Sequence, residues 1–350
     1  MKPKAKQFLL DLLFGLFSND KAMDGAKSFP WWSGLIIALF GVTIPIIPIT
    51  VSQARSYGSS FLSGYTYRFD QNIANLTVDM ASSNQEFIVE NQELSYYENN
   101  SKVVSTSEND TTPVSTYISE ATGQYELMVY YTTREKTDLN HYLTNIAETT
   151  YKIKTAERPD DSYEGVLYTP SFVVLHKGGL YTRLYKEDST EVGSNTYTAY
   201  VTDWKHFDEG YKLIAGALPK DKTASTVNLN DSEDVNAIFN NWKTYYNKGY
   251  ISQRTYNTWM TSLIFLGIHV GLVFFMGLLL FLLTRGKNNM FNYLKFIDTQ
   301  KMIWWACLSP GILAMIVGFL LSNFAQMIFL ILLGLRVMWM SMKQLRPQQY

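Results

Sequence analysis

The side chains best suited to chemistry are four histidines, His141, His176, His206 and His269, one cysteine, Cys307, and the carboxylates around them. No histidine has a second histidine at helical spacing, so the paired imidazoles of a zinc protease are missing. His206 stands beside Asp208 and Glu209, and imidazole with carboxylate could begin a metal site. A solvated turn is the plainer reading of the segment. One cysteine excludes an internal disulfide and a thiolate metal cage. Neither a P-loop, a nucleophile elbow nor a dinucleotide fingerprint is present. The sequence therefore predicts no catalytic residue, no metal ligand and no cofactor, and reads as non-enzymatic. The many tyrosines of the middle segment, with Trp204, could stack on a sugar ring; packing within a sheet is the plainer role for them. The sequence assigns no ligand-binding residue.

Two polar residues lie in apolar surroundings. His269 sits between Gly267 and Gly271, whose small-xxx-small spacing predicts a helix-packing face that hides the imidazole. A proton or solute path through His269 is the sharper alternative. Arg336 is expected to snorkel to the nearby membrane surface. Pro45, Pro48 and Pro310 are expected to bend their helices.

These residues sit in long uncharged runs. No Asp, Glu, Lys or Arg occurs between Lys27 and Arg55, Arg254 and Arg285, or Lys301 and Arg336. A helix needs about 20 apolar residues to cross the hydrocarbon. Four spans are predicted: residues 30–53, 258–284, 302–321 and 325–342, the last two joined by a turn at Ser322 and Asn323. The mean hydropathy of −0.08 hides this division. Residues 54–257 carry a net charge of −9 and the remainder +8. An acidic middle argues against a nucleic-acid partner.

Basic residues give the orientation. The N-terminal segment 1–29, the loop 285–301 and the tail 343–350 hold every lysine and arginine of the flanks except Arg336, and the positive-inside rule places them in the cytoplasm. Residues 54–257 are then extracellular. Trp31, Trp32, Trp304, Trp305 and Trp339 fall at the same predicted interface, as anchors of an aromatic belt. Within segment 1–29, Gln7, Asp11, Gly15 and Ser18 share one face of a short helix that is otherwise Phe and Leu. It reads as an interfacial amphipathic helix, apolar side in the lipid. No small-residue cleavage site follows it, so it is expected to be retained.

The middle segment mixes periods. Residues 124–131, 171–175, 179–185 and 196–201 read as strands rich in Tyr, Val and Thr, with a hairpin at His176–Gly179. Residues 138–151 and 231–248 read as helices opened by aspartate caps, the second able to continue toward the next span past a weak point at Gly249. Residues 99–116 read as a loop. The fold class is thus an α+β extracytoplasmic domain on a four-helix transmembrane unit in a 1+3 arrangement.

This order of features resembles a bacterial family known as maltodextrin (maltodextrose) utilisation membrane proteins. The local likeness lies in residues 295–311, a Lys-bearing loop leading through Trp304, Trp305 and Cys307 to Ser309 and Pro310. Residues 86–94 are similar to a strand turn of that family, with Gln92 where glycine would stand. The resemblance implies an accessory or sensor protein of carbohydrate uptake, binding a ligand or a subunit of a sugar ABC transporter through its external domain. A solute permease and a cell-envelope enzyme are the alternatives. Besides the lipid bilayer, no partner, ligand or oligomeric state is fixed by the residues.

Overall fold

A computed structural model describes residues 3–64, 69–103, 112–119, 125–134, 136–149, 151–152, 167–168, 170–185, 196–201, 203–285 and 291–345. The fold is mixed α and β, and four of its helical stretches are long and apolar enough to cross a membrane. Contacts divide the chain into two compact units, Met1–Arg55 with Thr255–Tyr350, and Ser56–Arg254.

The first unit begins with a hairpin of α1 (Pro3–Gly15) and α2 (Asn19–Ser28). Ser18 caps α2 by accepting the Lys21 N–H. Two residues of the polar edge, Asp11 and Gly15, are turned into the unit: Asp11 is 3% exposed and accepts from the exposed Gln7 Nε2 at 2.9 Å. Leu13, Phe14 and Phe17 face outward instead. The expected amphipathic helix thus shows its apolar side outward, but turns Asp11 and Gly15 of its polar side into protein.

The first apolar stretch is broken. α3 (Trp31–Thr43) tightens into a 3-10 turn over Ile44–Ile46 and resumes as α4 (Ile47–Ala54). Pro45 and Pro48 lie at that break, as expected, because each removes a helical N–H donor.

The second unit opens with α5 (Phe69–Ser82) and a meander of β1 (Gln85–Glu90), β2 (Glu93–Glu98) and β3 (Ser101–Val103). Asn91 and Gln92, and then Asn99 and Asn100, join these strands with positive φ at both positions. Two-residue turns of that kind match the right-handed twist of the strands. β4 (Ser115–Ile118) and β5 (Tyr125–Thr132) follow, then α6 (Lys136–Glu148), the short pair β6 (Tyr151–Lys152) and β7 (Leu167–Tyr168), and β8 (Ser171–His176), β9 (Gly179–Tyr185) and β10 (Thr196–Val201). The main sheet has the order β10-β9-β8-β5-β4, and only β5 and β8 pair in parallel. The β5–β8 link must cross over, and α6 lies in it.

Helices cover both faces of that sheet. Met128, Tyr130, Phe172 and Val174 meet Leu139, Tyr142 and Ile146 of α6. The alternate residues Leu127, Val129, Val173 and Leu175 meet α5 and α8 (Ser232–Gly249). A strand buried on both faces reads as a continuous apolar run, as β8 does. α7 (Leu213–Ala217) precedes α8. Trp204 is fully buried in this core, and its Nε1–H donates to the His176 carbonyl at 3.0 Å, so it offers no face to a ligand.

α8 ends at Gly249, the expected weak point, and α9 (Ile251–Leu283) begins two residues later. The remaining α-helices are α10 (Phe296–Ala306), α11 (Leu308–Leu320) and α12 (Ala325–Trp339), with a 3-10 turn at Ser322–Phe324 and a π turn at Met340–Gln344. α10 starts ahead of the expected span because Asp298 accepts the Lys295 N–H at 3.0 Å and closes the first turn. The chain breaks at Cys307, three residues before Pro310.

Candidate functional site

Arg336 and His269 of the helical unit both donate to backbone carbonyls. Pro310 has no N–H to offer the Ala306 carbonyl four residues back. Arg336 supplies one: its Nη1 donates to Ala306 O at 2.9 Å. Its Nε donates to Asn19 Oδ1 at 2.7 Å, and its Nη2 to the Gly15 carbonyl at the end of α1. Arg336 therefore joins two helix ends and the start of α2, a role the snorkelling expectation missed. A guanidinium suits helix C-termini, where carbonyls are orphaned and the dipole is negative.

His269 acts in the same way at the other break. It is 2% exposed, and its Nδ1–H donates to Val42 O at 3.0 Å. In the 3-10 turn that follows, N–H groups bond three residues back, which leaves Val42 O to a side chain. Phe329 of α12 covers the imidazole, with ring centroids 4.5 Å apart. Gln326 Nε2 lies 3.4 Å from Pro45 O.

Gly267 and Gly271 do not form the expected packing face. Nothing described lies within 4 Å of a Cβ built on either one. Each is two residues from His269, about 200° around a helix at 100° per residue, so burying the imidazole turns both outward. The close approaches lie elsewhere. A Cβ on Gly41 would sit 2.5 Å from Cys307 Sγ, and one on Gly311 would sit 2.4 Å from Gly41 O. The tryptophans also divide. Trp31, Trp32 and Trp339 are 55, 54 and 54% exposed, and Trp304 is half-buried. Trp305, 3% exposed, packs on Phe8 and Phe29 and is no lipid-facing anchor. Adjacent residues on a helix point about 100° apart, and here Trp305 is the one turned into the unit against α1 and α2.

In the second unit a cleft of about 790 Å³ opens on the outer face of the meander. The β1–β2 register sets Glu86 opposite Tyr97, with Ile88 farther along the same face. The end of α5, the residues around α7 and the loop 222–225 form the other walls. Glu86 Oε1 accepts from Ile214 N–H at 2.7 Å and Phe87 N–H at 2.9 Å, and Oε2 accepts from Ala215 N–H at 3.0 Å. Burial raises its pKa, and these three donors offset only part of that rise.

Lys212 also lines the cleft and acts on Glu86 through its charge, whereas Lys222 of the lining and the neighbouring Glu90 are bonded. Tyr97 donates to Glu90 Oε1 at 2.6 Å, and Lys102 Nζ pairs with Glu90 Oε2 at 2.9 Å. Those two bonds hold the Glu90 carboxyl below its ordinary range. Lys222 grips both oxygens of Asp234, at 2.6 and 2.7 Å, while Asn228 N–H donates to Oδ2 at 2.8 Å. The ammonium lowers the Asp234 pKa and the carboxylate raises that of Lys222. Asn84, Gln85, Asn100, Thr223 and Ser225 add amides and hydroxyls, and Ile88 and Leu218 add apolar surface.

Such a surface offers a fixed aromatic ring, amides and hydroxyls, with its carboxylates already bonded. His206 lies outside it, exposed, with Nε2 3.2 Å from Ser252 Oγ. Among the described residues no three His, Cys, Asp or Glu side chains converge. The sequence did not mark this cleft. Its one local signal was the strand turn at residues 86–94. The chain matches no protein-family profile, no curated protein and no solved structure.

Proposed function

We propose that this chain is a multi-pass membrane accessory or sensor protein of carbohydrate uptake, non-enzymatic, whose external domain takes a maltodextrin-like saccharide in the meander cleft. The cleft chemistry carries the reading. A neutral polyol needs a ring face, amides and hydroxyls, and Tyr97, Asn84, Gln85, Asn100 and Ser225 line the cleft together. Glu86 accepts three backbone N–H groups, a structural role that favours binding over hydrolysis. The bonds to Glu90 fix the Tyr97 ring beforehand, which lowers the entropic cost of stacking.

In this reading the helical unit spans the bilayer in the 1+3 arrangement, with both termini in the cytoplasm and residues 54–257 outside. The distribution of lysine and arginine along the sequence supports it. The saccharide-bound domain would engage a sugar ABC transporter subunit.

Calorimetric titration of maltotriose and longer α-glucans into the full-length protein in nanodiscs tests the binding step. Binding should be detectable, and Tyr97→Ala should weaken it by about tenfold, equivalent to about 1.4 kcal/mol. No heat with any linear glucan, or equal affinity in the variant, would reject the cleft as a sugar site.

A further inference from the structure

The N-terminal hairpin presents a surface that the bundle does not cover. Leu13, Phe14 and Phe17 of this segment are 58, 56 and 91% exposed, and Leu9 is 40% exposed. The acidic residue of α1, Asp11, is turned inward. Lys6, Lys21 and Lys27 lie on the surface together with Asp20 and Asp24, and Lys21 is paired with Asp24 at 3.5 Å, which leaves Lys6 and Lys27 for the headgroups.

The hairpin is also held at one level of the bundle. Arg336 bonds to Gly15 O and Asn19, and Trp305 packs against Phe8, Phe29 and the bare Cα of Gly25. α2 ends at Ser28, and the exposed Trp31 and Trp32 follow after only Phe29 and Pro30. The apolar face of α1 therefore continues the tryptophan belt, at the depth where headgroups meet acyl chains.

We propose that the α1–α2 hairpin is a binding element for anionic phospholipid, its Leu and Phe face in the acyl boundary and Lys6 and Lys27 on the headgroups. Apolar insertion and basic charge are the two signals that together give stable surface binding. The inference rests on the bundle lying in a bilayer and is independent of any sugar.

Cys307 is fully buried, so a single introduced cysteine can be labelled in the full-length protein. Phe17→Cys and Asp24→Cys, each carrying an environment-sensitive fluorophore, are reconstituted in phosphatidylcholine vesicles with phosphatidylglycerol. The label at 17 should be blue-shifted and quenched by doxyl lipid, and the label at 24 by aqueous acrylamide. Equal acrylamide quenching at both positions overturns the insertion and leaves the face to a soluble protein partner. In a second measurement, lipid retained through detergent exchange should be enriched in phosphatidylglycerol over phosphatidylcholine. Lys6→Gln with Lys27→Gln should reduce that enrichment several-fold; unchanged enrichment overturns the headgroup assignment.

Discussion

Gln92 closes the first hairpin with φ of 64°, a backbone region that costs an L-residue about 1–2 kcal/mol and glycine almost nothing. Replacing Gln92 with Gly should therefore stabilise the meander by up to about 1 kcal/mol, after the extra chain entropy of glycine is subtracted. A higher urea midpoint with an unchanged slope would show it, and a lower midpoint would refute it. Asp234 provides a pH signature at the same scale. Its folded pKa lies below the ordinary 3.8, so its contribution is complete above that value and is lost as pH falls through the folded pKa. Lys222 runs the other way, raised above 10.5, with its contribution lost only at higher alkaline pH. Asp234→Asn should flatten the acid limb of stability measured below about pH 4. An acid limb of identical steepness in the variant would show that the pair does not stabilise the fold.

At the scale of elements, prolines and polar side chains form matched sets. Arg336 supplies a donor to the Ala306 carbonyl that Pro310 leaves open, and His269 supplies one at the Pro45 break. Replacing Arg336 with Met removes that donor together with the bonds to Gly15 and Asn19, a loss of about 3–5 kcal/mol for a buried charged network. In a Pro310→Ala background the backbone regains its own N–H. The same substitution should then cost about 1 kcal/mol less, the net value of one hydrogen bond. A double-mutant cycle in detergent reads this coupling, and strict additivity would sever Arg336 from Pro310. The glycines give a second contrast. Gly311→Ala drives a methyl to 2.4 Å from Gly41 O, where only backbone movement can relieve it. Overpacking of this kind costs about 1–3 kcal/mol. Gly267→Ala meets open space and should leave the bundle unharmed, or stabilise α9 by up to about 1 kcal/mol. Thermal midpoints of the two variants separate the packed glycine from the unpacked one.

At the scale of the whole molecule, the division into two compact units predicts unfolding that is not two-state. Near-ultraviolet circular dichroism on heating should resolve two transitions. The Gln92→Gly change should move one of them and Gly311→Ala the other. A single transition shifted by both substitutions would show that the units unfold together. The proposed orientation has its own test. A membrane-impermeant maleimide should label Lys220→Cys in intact cells and leave Asp24→Cys untouched until the membrane is opened. Labelling at position 24 from outside would reverse the topology.

The sequence by itself determined the four apolar stretches, the breaks at Pro45, Pro48, Gly249 and near Pro310, and the strands at residues 171–175, 179–185 and 196–201. Each follows from a local cause: an uncharged run, a missing N–H, or the β preference of Tyr, Val and Thr. α5 was not legible, because its 14 residues pack an apolar stripe interrupted by Asn72 and Thr77, both buried. Only the tertiary structure decided what the polar residues do. The partner of Arg336 lies 30 residues away at Ala306, and that of His269 lies 227 residues away at Val42. Burying His269 fixed the rotation of α9, which turned Gly267 and Gly271 outward. Packing Trp305 beneath the N-terminal hairpin buried it, while Trp31, Trp32 and Trp339 stayed exposed. The meander cleft was invisible for the same reason. Its walls come from residues 81–100 and 212–225, and only folding brings Glu86 to the N–H groups of Ile214 and Ala215. Pattern along a chain records which face is apolar, whereas a site depends on which faces meet.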